Sequence, residues 1–140
     1  MVGDESATAS VARRLADELL PGDVLLMHGD LGAGKTTFVR HLAASLGSKV
    51  PVSSPTFTLV HEVLGGRIPL CHVDAYRLPE STDPSEVGLD DYLDGRWLVA
   101  IEWPERFAPG FGSGRTWSIH LETIDSDTRR IVVDGPGGVE

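Results

Sequence analysis

An apolar run, Val24-Leu25-Leu26-Met27, and a segment carrying Phe38, Leu42 and Leu46 on one face are joined by Gly29-Asp30-Leu31-Gly32-Ala33-Gly34-Lys35-Thr36-Thr37. The first run reads as a buried strand and the second as an amphipathic helix, so the glycine-rich stretch must turn a strand directly into a helix. Its spacing is G-x-x-x-x-G-K-[ST], in the context that gives the pattern meaning. Glycines let the backbone curl and aim successive N–H groups at an anion, and the helix start adds its positive dipole end. Gly29, Asp30, Leu31, Gly32, Ala33 and Gly34 are therefore expected to form a phosphate cradle. Lys35 supplies a cation for the outer phosphates, the Thr36 hydroxyl is placed to meet magnesium, and Thr37 opens the helix behind them. The competing reading is a glycine-rich turn that binds nothing. The strand before it and the helix after it favour a nucleoside triphosphate.

The remaining elements follow from periodicity and punctuation. Asp4 or Ser6 is suited to cap a first helix in which Val11, Leu15 and Leu19 recur every fourth residue, ending at Pro21-Gly22-Asp23. The second helix is expected to stop at Gly47. An extended strand is predicted from about Thr56, and Gly65-Gly66 predicts a hairpin into Arg67–Val73. Asp83-Pro84 predicts the start of a short helix. Trp97–Ile101 is a continuous apolar run suited to burial on both faces of a sheet. Two final strands, Thr116–Glu122 and Arg129–Val133, precede a glycine-rich tail expected to fray from about residue 135. The expectation is a single α/β domain, residues 1–140, with the three-layer arrangement of P-loop NTPases: a central mixed sheet flanked by helices.

A phosphate loop needs a carboxylate near the metal and a group that positions the attacking nucleophile. Asp74 follows the apolar residues up to Val73, and Glu102 follows Trp97–Ile101, so both sit where open α/β sheets place ligands. Each also has a plain reading, as a turn acid for Asp74 and a surface acid for Glu102. Spacing does not decide which of the two binds magnesium. Thr56 and Thr58 lie in a Ser-Ser-Pro-Thr stretch that suits a switch loop as well as it suits a strand. Trp103 is either a structural tryptophan or a neighbour of the nucleotide. His28, His41, His61, His72 and His120 lack metal-ligand spacing and are assigned no chemistry.

Composition narrows the partners. With 12 Lys and Arg against 21 Asp and Glu, the formal net charge is −9. The basic residues are scattered, which argues against a face that grips RNA or DNA by its phosphates. The stretch Asp83–Asp94 holds five acids and no basic residue, and is read as a solvated loop rather than a docking surface. Cys71, the one cysteine, lies in an apolar run and is expected to be buried and unpaired. No apolar run is long enough to cross a bilayer, and the acidic N-terminus does not resemble a secretory signal, so a cytoplasmic location is expected.

Four ordered blocks together resemble one family: Gly29–Phe38, Ser54–Val60, His72-Val73-Asp74-Ala75-Tyr76-Arg77-Leu78, and Glu102-Trp103-Pro104. The chain resembles the bacterial TsaE family, small ATPases needed for threonylcarbamoyladenosine in tRNA, and the likeness covers nearly its whole length. The resemblance implies ATP and Mg2+ as ligands, with Thr36 and Glu102 binding the metal and Lys35 holding the outer phosphates. It implies that Asp74 supports hydrolysis, that Thr56 belongs to a switch-like loop and that Trp103 lies close to the nucleotide. Glu5 and Thr8 would contribute to the base side of the pocket, with Arg129 or Arg130 reaching in from the last strand. As partners it implies the threonylcarbamoyl transferase pair TsaD and TsaB, reset between turnovers by ATP, with tRNA met only through that complex. Hydrolysis would be slow alone and raised by partner contact. His28 departs from the apolar or aromatic residue more usual before the loop. Two other readings stay open: a small-molecule kinase, and a binding module that holds ATP without turning it over. A GTPase is disfavoured, since no N-K-x-D-type signature occurs.

Overall fold

The computed structural model describes residues 2–30, 34–49, 59–107, 115–126 and 128–136. In chain order the elements are β1 (Val2–Gly3), α1 (Glu5–Ala16), β2 (Val24–His28), α2 (Lys35–Ser45), β3 (Val60–Val63), β4 (Leu70–Asp74), β5 (Leu98–Glu102), β6 (Thr116–Thr123) and β7 (Arg129–Asp134). The strands form one sheet ordered β1-β7-β6-β2-β5-β4-β3. β6, β2, β5 and β4 are parallel neighbours at its centre, while β3, β7 and β1 pair antiparallel toward the edges. This is the mixed α/β sheet expected from the sequence. Its parallel register aligns the carboxyl ends of β2, β5 and β4, with Met27 opposite Glu102 and Glu102 opposite Asp74.

Alternation along the strands divides the core in two. Leu25 and Met27 of β2, Leu98 and Ala100 of β5, and Leu70 of β4 pack with Leu15 of α1 and Phe38 and Leu42 of α2. Both α-helices therefore cover one face. On the other face Val24, Val73, Val99 and Ile101 pack with Leu89 and Phe107. The chain over this face forms 3₁₀ turns at Pro84–Val87, Leu89–Asp91 and Pro104–Arg106. The short helix predicted at Asp83-Pro84 is thus a 3₁₀ turn, capped by the Asp83 side chain accepting from the Ser85 amide. Gly88, at a left-handed φ of 80°, stops it before an α-helix can propagate.

Asp4 is the cap of α1, its carboxylate accepting from the Ala7 amide. The helix ends at Ala16, earlier than the periodicity suggested, yet Leu19 beyond it is still buried. β1 has no sequence signal. It exists because Val2 and Gly3 pair with Arg130 and Arg129, anchoring the entry to α1 on β7. Asp134 extends the last strand one residue past the expected Val133 and lies opposite Ser118. The start of the strand predicted near Thr56 lies outside the described residues, and its continuation forms the predicted hairpin, β3 with β4.

Candidate functional site

The site grows from the carboxyl edge of the parallel strands. β2 ends at His28, Gly29 follows at its tip, and Gly34 caps α2 with φ 95° and ψ 21°, a left-handed geometry that favours glycine. Lys35 is the first residue of α2 and is buried. Its ammonium donates to the Gly29 carbonyl oxygen at 2.5 Å and stands 3.7 Å from the centre of the Trp103 ring. Burial pushes the ammonium below its ordinary pKa, and the neighbouring charges of Glu102, Asp74, Glu105 and Asp30 pull the other way. One cation thus faces several acids, so the site holds negative charge that a further cation would offset.

Thr36 donates its hydroxyl to Oε2 of Glu102 at 3.0 Å. The period of two along a strand explains the meeting. Glu102 shares the helix-facing side of β5 with Leu98 and Ala100, so it points at the first turn of α2. His72 lies on the same side of β4 and brings Nε2 to 2.6 Å from that same Oε2. Asp74, beside Glu102 in register, accepts from the Tyr76 amide at 3.0 Å. The turn-acid reading of Asp74 therefore holds for Oδ1, and its charge still reaches Lys35.

Trp103 follows Glu102 directly and adopts φ 60° and ψ 50°, a left-handed conformation uncommon outside glycine. Such a conformation costs on the order of 1–3 kcal/mol and persists where surroundings enforce it. Here it precedes the 3₁₀ turn Pro104–Arg106 and sets the indole over Lys35, with Tyr76 packed at 4.9 Å between ring centres.

A cavity of about 550 Å³ opens beside the start of α2, lined by Asp4, Glu5, Ser6, Thr8, Gly34, Thr37, Leu121, Ser126 and Arg129. It joins the first turn of α1 to the glycine that caps α2 and to the β6–β7 hairpin. Its size suits a nucleoside.

The model for "Threonylcarbamoyl adenosine biosynthesis protein TsaE" matches residues 2–131. The chain belongs to the TsaE family. It is 38% identical over 130 residues to the tRNA threonylcarbamoyladenosine biosynthesis protein TsaE of Treponema pallidum, covering 93% of each chain. To the Bacillus subtilis protein of the same description it is 44% identical over 96 residues, 69% of this chain and 60% of that protein. The chain therefore spans less than two thirds of that relative. The crystal structure of Bacillus subtilis YdiB superposes with a TM-score of 0.71 at 32% identity, covering 96% of this chain and 82% of the other.

In this TsaE-family chain Lys35, Thr36, Glu102, Asp74 and Trp103 gather at one edge of the sheet. Glu5, Thr8, Gly34 and Thr37 line the adjoining cavity, and so does Arg129. Arg130, the alternative to it, turns toward Glu122 at 3.9 Å and does not line that cavity. Leu31, Gly32, Ala33 and Thr56 lie outside the described residues; Asp30 is exposed. One residue was misjudged: His72, assigned no chemistry, is fully buried against Glu102. Its position two residues before Asp74 put the two on one face of a strand. The contact itself required knowing that β4 lies beside β5. Cys71 is buried as expected, its thiol pushed up to about 12 chiefly by burial. Among the described residues no cluster of three His, Cys, Asp or Glu side chains forms a metal site. No described helix is long and apolar enough to cross a membrane.

Proposed function

We propose that this chain binds Mg–ATP at the carboxyl edge of its parallel strands and hydrolyses it in the service of threonylcarbamoyladenosine formation in tRNA, acting with transferase subunits of the TsaD and TsaB type. Family membership supports the pathway. The observation that carries the chemistry is the Thr36–Glu102 pair at 3.0 Å, with the Lys35 ammonium buried close by. A hydroxyl and a carboxylate are hard oxygen donors, and two protein ligands suit magnesium, which keeps its other positions for phosphate and water oxygens. When bound, the ion would neutralise charge on the outer phosphates.

Each residue then has a task set by its place. Lys35 exchanges the Gly29 carbonyl for phosphate oxygens. The amide-rich start of α2 receives the inner phosphates. Asp74, with one oxygen held by the Tyr76 amide, presents the other toward the site and orders water there. Glu5, Thr8, Thr37 and Arg129 enclose the nucleoside, and Trp103 closes the side above Lys35. The formal charge of −9 fits a chain that meets tRNA only through its partners.

Capture of the protein by the transferase pair, with ATP, with ADP and with Lys35→Ala, tests the reading. Nucleotide should change the association, and the variant should lose the response. Absence of any calorimetric heat from folded protein mixed with adenine nucleotide and magnesium would overturn it.

A further inference from the structure

We propose that His72 is a positioning residue for the magnesium site: its imidazole N–H holds Oε2 of Glu102, fixing the carboxylate that Thr36 also engages. This rests on the functional reading of Glu102 given above. His72 is fully buried on central strand β4, among the apolar positions that support α2. Its Nε2 lies 2.6 Å from Oε2, a short hydrogen-bond contact. An ionised carboxylate only accepts, so Nε2 is the donor. Thr36 Oγ1 reaches the same oxygen at 3.0 Å, so two donors on two different elements converge on one atom. A carboxylate gripped in this way cannot swing about its terminal bond, and its other oxygen is held to one direction.

The rest of the ring argues that this is its purpose. Nδ1 is buried and has no hydrogen-bond partner among the described residues. An apolar side chain would avoid that orphaned nitrogen, whose burial is unfavourable. A histidine placed here to knit the core would be expected to bridge two partners; this one serves Glu102 alone. Hydrogen-bonded supports of metal-binding carboxylates behave the same way, and losing one typically costs 10- to 100-fold in metal affinity.

The test compares ADP binding by calorimetry in EDTA and across a magnesium titration, for wild type, Glu102→Gln, His72→Leu and His72→Gln, with thermal melts of each. His72→Leu should bind ADP normally in EDTA, and its melt checks that the variant stays folded. Its magnesium requirement for tightened binding should rise about 10- to 100-fold. His72→Gln, which can still donate to Oε2, should recover most of that loss. A wild-type magnesium response in His72→Leu, or equal impairment in both variants, would overturn the role of the hydrogen bond. If leucine disturbs folding, His72→Met replaces it as the apolar variant, with the same outcomes. A wild-type protein whose ADP binding ignores magnesium, or is matched by Glu102→Gln, would instead sink the functional reading itself.

Discussion

Lys35 makes two contacts that the proposed triphosphate would replace: the Gly29 carbonyl and the face of Trp103. ATP with magnesium should therefore change tryptophan fluorescence, and Trp103→Phe should abolish most of the change although Trp97 and Trp117 remain. An unchanged signal in wild type under saturating nucleotide would show that the ammonium never leaves the ring. His28 illustrates a different balance. It stacks on His120 at 4.6 Å, and burial foremost, then His120 and Lys35, depress its pKa from the ordinary 6.5 against the opposing pull of Glu105. Well above pH 6.5 neither the folded nor the unfolded chain protonates this ring appreciably. Below it the unfolded chain takes the proton first, so stability falls with falling pH until the depressed folded-state value is passed. Melting temperature should drop less between about pH 7 and 5.5 in His28→Phe than in wild type; parallel curves would refute this. Asp23, 1% exposed, accepts from the Leu20 amide, the Trp117 indole N–H and Arg115, each at 3.0 Å. Asp23→Ala leaves the buried Trp117 indole N–H and the part-buried Leu20 amide without this acceptor and should lose about 2–4 kcal/mol in urea denaturation. A loss below about 1 kcal/mol would mean that the donors find other partners.

At the scale of elements, α1 with its cap supplies four of the nine described residues that line the cavity, so the quality of its start matters to a ligand there. Asp4 both lines the cavity and caps the helix, accepting from the Ala7 amide at 3.1 Å. β1 pins the preceding residues to β7, and a Cβ on Gly3 would come within 2.4 Å of Ala7 Cβ, so the strand meets the helix with no room to spare. Glu5 then reaches across to His41 of α2 at 3.1 Å, tying the two helices at the cavity rim. Asp4→Ala should cost about 1 kcal/mol of stability and weaken ADP binding, because the turn that presents Glu5 and Thr8 frays. Unaltered nucleotide affinity in a measurably destabilised variant would separate the cap from the site.

For the molecule as a whole, the sheet brings one acid from each of two adjacent strands to the start of one helix, all at a single edge. The cavity beside it is walled by the start of α1, the start of α2 and the β6–β7 hairpin. A catalytic group missing from such a site can be supplied only by a partner or by chain outside the described residues. ATP turnover by the isolated protein should therefore be slow and should rise at least severalfold when the transferase pair is added. Equal rates with and without the pair would remove partner-completed catalysis from the proposal.

Both helices and the strands at Val24, Leu70, Leu98, Thr116 and Arg129 were legible in the chain, because each rests on local physics. Glycine spacing, a period of 3.6 or 2, and turn residues act within a few positions. Asp74 and Glu102 were likewise visible as acids that end apolar strands. Which strands lie side by side is not a local property. The order β2-β5-β4 depends on how α2 and the 3₁₀ turns between β4 and β5 cover opposite faces of the sheet, and that order puts His72 against Glu102 and Glu102 against Thr36. β1 and the choice between Arg129 and Arg130 have the same origin: a two-residue strand and a side chain's facing are set by the partner strand, not by the residues themselves.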